Sequence, residues 1–401
     1  MPASSMPDAP WLTIVGLGED GPDGLPAASR AALDAAEVVM APTRHLSLIP
    51  ETGAERIAWP VPFAEGLPLL KELTGRRTVV LASGDPFWFG AGSVIAREFA
   101  PHEWRALPGP STFSLAAARL GWPLDRTTCL GLHAAPLSRL RPHLAPGQNM
   151  IVLLRDGAAV ALLADYLSGL GFGASTLHVM EALGGPREHV NTCRADGPQG
   201  THGAPVCVAI EPAGGPALPQ ASGLPDDTFE TDGTMTKRPV RALTLSALAP
   251  RPGEHLWDVG GGSGSVAVEW LLSHPTTQAT TVEPREDRRA LIARNAASLG
   301  QDRLRIVEGS APGALEGLAP PDAVFVGGGL SQALLDRLTA LPKGTRLVAN
   351  AVTLDSEALL VAAQARLGGT LLRLDLSEAA PLGPRKAWKA AYPVVQWSVT
   401  L

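Results

Sequence analysis

Cysteine is scarce: Cys129, Cys193 and Cys207 are the only three in 401 residues. Thiols so few and so scattered build neither a disulfide framework nor a zinc site, and they suit a reducing cytoplasm. Blocks of like charge are missing as well. The formal net charge is −6 and no run of five like-charged residues occurs, which argues against a nucleic-acid partner and for a small-molecule substrate. The opening MPASSMPDAPW has neither a basic nor an apolar leader region, and no stretch of 18 apolar residues follows it. Neither export nor a membrane span is expected.

What is present is abundant glycine and proline, 43 and 37 residues, set among short apolar runs. The length suits two domains, each able to bury its own core. Residues 212–227 are rich in Pro, Gly, Ala and Ser, without periodic apolar positions, and read as a linker between domains at 1–211 and 228–401. In both parts short strands alternate with helical stretches, the pattern of α/β folds. Near the carboxy terminus TLLRLDL and YPVVQWSV read as a hairpin at a sheet edge.

The stretch WDVGGGSGSVAVEW, residues 257–270, sets Asp258 before Gly260, Gly262 and Gly264. A dinucleotide fingerprint started at Gly260 meets Ser265 where its third Gly or Ala should stand, and the lysine of a phosphate-binding loop is missing. It resembles instead the acid-x-Gly-x-Gly-x-Gly turn of the class I S-adenosylmethionine-dependent methyltransferases. The resemblance implies a doubly wound, Rossmann-like fold whose glycines admit the methionine portion of the cofactor. Glu283, 19 residues beyond Gly264 at a predicted strand end, would bind its ribose hydroxyls. Ser310 and Ala311 would pass the adenine, and Thr236 would touch the cofactor. The bland alternative is a tightly packed turn without a ligand.

Gly328 and Gly329 end the fourth strand where amino-methylating relatives carry an Asn/Asp-Pro-Pro-Tyr/Phe cluster. Their smallness leaves room for a bulky planar substrate. Upstream, Lys237, Arg238 and Arg241 open a helix, and three cations there suit a substrate bearing carboxylates. A solvated basic face is the alternative. Trp257 and Trp270 read as core.

In the first part Gly16, Gly18 and Gly21 spell a dinucleotide motif, but no helix follows at once, so that reading is set aside. LASGDPFWFGAG, LPGPSTFSLAAARLGWP and Gly16-Leu17-Gly18 together resemble the tetrapyrrole methylases, as does MEALGGPREHV, residues 180–190. That family has two α/β lobes and holds S-adenosylmethionine folded in the cleft between them. The resemblance implies cofactor contacts at Gly16, Gly18, Gly84, Asp85, Phe87, Ser111 and Thr112.

The order of the halves is the most specific feature. A tetrapyrrole methylase followed by a class I domain with MTKRPVRA resembles the decarboxylating precorrin-6B C(5,15)-methyltransferases of cobalamin synthesis over nearly the whole chain. The resemblance implies one S-adenosylmethionine per domain. The first domain would methylate carbon 5, and the second would methylate carbon 15 and remove carbon dioxide from the ring C acetate, giving precorrin-8. It also implies a homo-oligomer by analogy with related domains, and no metal.

No catalytic residue is assigned, because reduced precorrin carbons are nucleophilic enough to need alignment more than a base. A cation on the departing carboxylate would oppose its loss. The family's Ser-Leu-His-Gly-Arg is here GLHAAPL, with Ala134 and Ala135 in place of Gly-Arg, and Pro239 stands where an acid is usual. His133 reads as a buried, satisfied imidazole rather than a base. The rivals are an NAD(P)-dependent precorrin reductase and a fusion with a single working site.

Overall fold

A computed structural model describes residues 10–401. Contacts divide the chain into two units, one of residues up to 135 with 145–216, the other of 136–144 with 217–401.

The first unit contains two sheets. Strands β1 (Leu12–Leu17), β2 (Val38–Ala41), β3 (Glu55–Ala58), β4 (Thr78–Ser83) and β5 (Trp104–Leu107) form the first, in the order β3-β2-β4-β1-β5. All of its pairings are parallel. Every residue of β1, LTIVGL, is buried, as a central strand covered on both faces requires. Two apolar clusters do the covering, one with Leu12, Ile14 and Val80, the other with Val15, Leu17 and Leu81.

The second sheet joins β6 (Thr128–Gly131), β7 (Met150–Leu153), β8 (Thr176–Glu181), β9 (His189–Arg194) and β10 (Val206–Glu211) in the order β6-β7-β10-β8-β9. Only β6 and β7 run parallel.

The second unit is one seven-stranded sheet of β11 (His255–Val259), β12 (Gln278–Glu283), β13 (Arg305–Glu308), β14 (Ala323–Val326), β15 (Arg346–Ala351), β16 (Thr370–Leu374) and β19 (Val394–Thr400). Its order is β13-β12-β11-β14-β15-β19-β16, and β19 is antiparallel to both of its neighbours. The predicted edge hairpin is therefore present, but between its strands the chain makes a second hairpin, β17 (Ser377–Leu382) and β18 (Arg385–Ala390). Trp270 and Trp257 are fully buried in clusters on opposite faces, so the tryptophans flanking the glycine turn are core.

The Pro- and Gly-rich stretch is not free chain throughout. Leu218 and Leu224 lie in the apolar core of the second unit with Phe229 and Trp270. Composition detects the absence of periodicity, yet two leucines suffice to anchor an irregular segment. Among the described residues no helix is long and apolar enough to cross a membrane.

Candidate functional site

In the second unit strand order reverses between β11 and β14, and in open α/β sheets ligands bind beyond the strand ends at such a point. A cavity of about 960 Å³ lies there. That is the upper end of small-molecule sites, enough for a cofactor beside part of a larger substrate.

The glycines shape its floor. Gly260, Gly262 and Gly264 have φ of 75°, 58° and 74°, the left-handed region where a side chain is strained. A Cβ on Gly260 would also lie 2.8 Å from the Gly328 backbone nitrogen, so β11 and β14 close together only because both loops are bare. Glu283 ends β12 almost wholly buried and still lines the cavity. Its carboxylate accepts the Gly262 N–H at 3.0 Å and the Arg285 N–H at 3.1 Å. Oriented by backbone donors, it keeps lone pairs for hydroxyl groups. A bare glycine cradle beside a fixed carboxylate fits S-adenosylmethionine.

Thr236, Lys237, Gly260, Gly262, Glu283, Ser310, Ala311, Gly328 and Gly329 all border this cavity. Asp258 and Gly264 do not. Gly264 precedes the helix Ser265–Ser273. Asp258 is buried beneath the turn, where Thr281 donates to it at 3.4 Å. Burial pushes its carboxyl up to about 7.

The basic trio is corrected. Arg241 is fully buried: Nε donates to Glu269 at 2.5 Å, and Nη1 to Asp226 at 3.1 Å and to the Thr236 carbonyl at 2.6 Å. Glu269 also accepts the Gly223 and Leu224 N–H groups at 2.7 and 2.9 Å. The pair thus folds the cavity wall, and Arg241, with four of its five N–H groups bonded within the chain, does not itself border the cavity. Arg238 is exposed and does not border the cavity, while Lys237 does. Helical spacing cannot distinguish these roles, because 237 and 241, four apart, and 238 and 241, three apart, read as one face of the helix Arg238–Leu248.

Sequence reasoning missed Asn350, at the end of β15, and Lys389 of β18, which both border the cavity. Asn350 stands near the end of the predicted strand RLVANAV, in which nothing sets it apart, and RKAWKA, which carries Lys389, has no clean alternation.

In the first unit three strand ends converge. The Gly84 N–H donates to Leu17 O at 3.0 Å, and the Gly84 carbonyl accepts the Gly109 N–H at 3.0 Å. A Cβ on Gly16 would collide with that carbonyl. Asp85 accepts the Phe87 N–H at 2.9 Å, turning the loop, and Ser111 caps the helix Thr112–Leu120 through the Ser114 N–H. Gly16, Gly84, Asp85, Ser111 and Thr112 thus gather at the ends of β1, β4 and β5, with Gly18 next along and Phe87 exposed on the loop tip. These bare loop backbones also suit a folded cofactor. Gly21 opens a short 3-10 turn, so no helix terminus faces the dinucleotide-like motif.

Beside these loops stands a cluster that the sequence did not reveal. Glu19 is buried between Arg44, which also donates to Ser83 at 2.9 Å, and Arg187, 2.9 Å away. His45 is buried next to Arg44, and burial pushes its imidazole down to about 3. His133 is exposed, contrary to the buried imidazole expected. No group of three or more His, Cys, Asp or Glu among the described residues is placed to hold a metal ion.

Comparison with known proteins follows the same division. Residues 11–197 match the family model of tetrapyrrole (corrin/porphyrin) methylases, and residues 227–401 that of the precorrin methyltransferase domain. The chain is 50% identical to a precorrin-6Y C(5,15)-methyltransferase [decarboxylating] of a Sinorhizobium species, over 98% of this chain and 97% of that one. It is 41% identical to one of Mycobacterium tuberculosis, over 97% and 99%. A solved C-terminal domain of precorrin-6Y C5,15-methyltransferase from Rhodobacter capsulatus is 54% identical, covering 46% of this chain and all of that one at a TM-score of 0.45.

Proposed function

The chain belongs to the decarboxylating precorrin-6Y C(5,15)-methyltransferase family, and from that premise we propose that each unit binds its own S-adenosylmethionine and acts on one macrocycle. The first unit methylates carbon 5 of precorrin-6B. The second methylates carbon 15 and decarboxylates the ring C acetate, and the product is precorrin-8. The cofactor supplies an electrophilic methyl group on a sulfonium.

The observation that carries this reading is the presence, in one chain, of two bare strand-end cradles on unlike sheets. In the first unit, loop backbone around Gly16, Gly84 and Gly109 holds the cofactor, and Asp85 keeps the loop turned. In the second, Glu283 orients the ribose, Gly260 and Gly262 admit the methionine portion, and Gly328 and Gly329 clear space for the macrocycle. Lys237 and Lys389, both exposed at the cavity, meet side-chain carboxylates. The chain acts in the cytoplasm, consistent with its three free cysteines, and associates with copies of itself.

Incubation of the full chain with precorrin-6B and S-adenosylmethionine should add two methyl groups and remove carbon dioxide, read by mass spectrometry. Glu283→Gln should weaken the second cofactor site by about tenfold or more, close to 1.4 kcal/mol, through loss of a charge-assisted acceptor. At limiting cofactor the product then carries a single added methyl and all its carboxylates. Both methyl groups added at wild-type rates would refute the assignment of Glu283.

A further inference from the structure

The cavity wall at the ends of β14 and β15 consists of Phe325, Gly327, Gly328, Gly329, Asn350 and Val352, among which Asn350 carries the only side-chain hydrogen-bond donor. Its amide is held from behind. Nδ2 donates to Thr244 Oγ1 at 2.9 Å, and Oδ1 accepts from Gln396 Nε2 at 3.0 Å. Gln396 also donates to Thr244 at 3.0 Å, closing a triangle, and both residues are buried. An amide nitrogen has two N–H groups, and Thr244 takes one. The other has no acceptor among the described residues. A donor with a fixed orientation, bordering a cavity and lacking a partner, is suited to a ligand.

We infer that Asn350 donates to the substrate carboxylate that leaves as carbon dioxide, and that its lack of charge is what suits it to that place. The inference rests on the two-site reading above. In the step concerned, the bond between the acetate methylene and its carboxylate carbon breaks. The electron pair passes into the conjugated macrocycle, carbon dioxide departs, and a proton from water completes the methyl left on ring C. Transfer of the cofactor's methyl to carbon 15 returns the sulfur–carbon pair to sulfur, so no oxidant or reductant is needed.

A carboxylate about to lose its charge is bound best by a group that positions it without favouring the anion. Lysine or arginine would stabilise the ground state more than the transition state, in which the charge has spread into the ring. A neutral amide aligns the carboxylate at smaller cost, and the buried Phe325 gives that wall an apolar surface. The helix carrying Thr244 and the strand carrying Gln396 thereby act as positioning elements.

The test uses the full chain with precorrin-6B and S-adenosylmethionine, comparing wild type, Asn350→Ala and Asn350→Asp. Carbon 5 methylation by the first unit is the internal standard, and cofactor binding is followed by calorimetry. If wild type fails to add two methyl groups and lose carbon dioxide, the two-site reading itself fails. If wild type succeeds, both variants should release carbon dioxide about tenfold or more slowly relative to carbon 5 methylation, with cofactor affinity unchanged. Asn350→Asp should be the slower, because it sets an anion against the departing one. A purely structural role gives the reverse order, since aspartate keeps the shape and the bond to Gln396. Unchanged carbon dioxide release, alanine slower than aspartate, or a matching fall in cofactor affinity would overturn the inference.

Discussion

The two strand-end cradles are built on different principles. In the first unit the backbones of three loops are in direct contact: Gly84 bridges Leu17 and Gly109, and Gly16 is bare because the Gly84 carbonyl occupies the space of its Cβ. In the second unit the turn depends on conformation and charge. Its glycines adopt left-handed dihedrals, a buried carboxylate bonds the Gly262 N–H, and a buried ion pair folds the wall. Each therefore breaks in its own way. The first is sensitive to added volume, and the second to lost charge partners as well as to volume at Gly260.

Removal of the ion pair should have the largest effect. Arg241→Ala leaves Glu269 buried without its cation and frees the wall around Thr236, at a cost of about 3–5 kcal/mol. Hydrogen exchange should show protection lost in the helix Arg238–Leu248 and retained in β1 and β4. Equal loss in both units would erase the distinction. Gly16→Ala should give the opposite pattern. Overpacking against backbone, which cannot yield as a flexible side chain can, places it near or above the top of the usual range of about 1–3 kcal/mol. Protection should fall in β1 and β4, and the first methylation should disappear while cofactor binding to the second unit persists. Wild-type carbon 5 methylation by this variant would show that the three loops are not in the close contact described.

Much of this was legible because it is local. The glycine turn, Glu283 at the end of β12, the Gly-Asp-Pro loop and the loop at Ser111 and Thr112 are each set by a few consecutive residues, and the structure gathers them at two strand-end clusters. The features that were missed are long-range. Arg241 finds Glu269 28 positions away, Glu19 meets Arg187 across 168, and Gln396 reaches Thr244 across 152. Nothing in a basic segment indicates which guanidinium a distant carboxylate will take inward. For the same reason Asn350, an ordinary strand residue by sequence, becomes prominent only once its two buried partners are in place.

The smallest effect tests the charge side of the comparison through Asp258. Its carboxyl is ordinarily near 3.8 and burial lifts it to about 7 in the fold, so between those values the folded state binds more protons than the unfolded one. Stability from this group is fully present below about 4 and is lost as pH rises through about 7, with a slope of at most about 1.4 kcal/mol per pH unit. β1, with the sequence LTIVGL, carries no acid and gives the first unit no such term at this position. Asn at 258 cannot ionise. Urea midpoints for the second unit, followed by exchange in β11 from pH 5 to pH 8, should therefore fall more steeply for wild type than for Asp258→Asn, while midpoints reported by β1 stay parallel in the two proteins. Parallel curves in β11 as well would mean that Asp258 is ionised throughout, and the turn would then depend on its glycines and Glu283 alone.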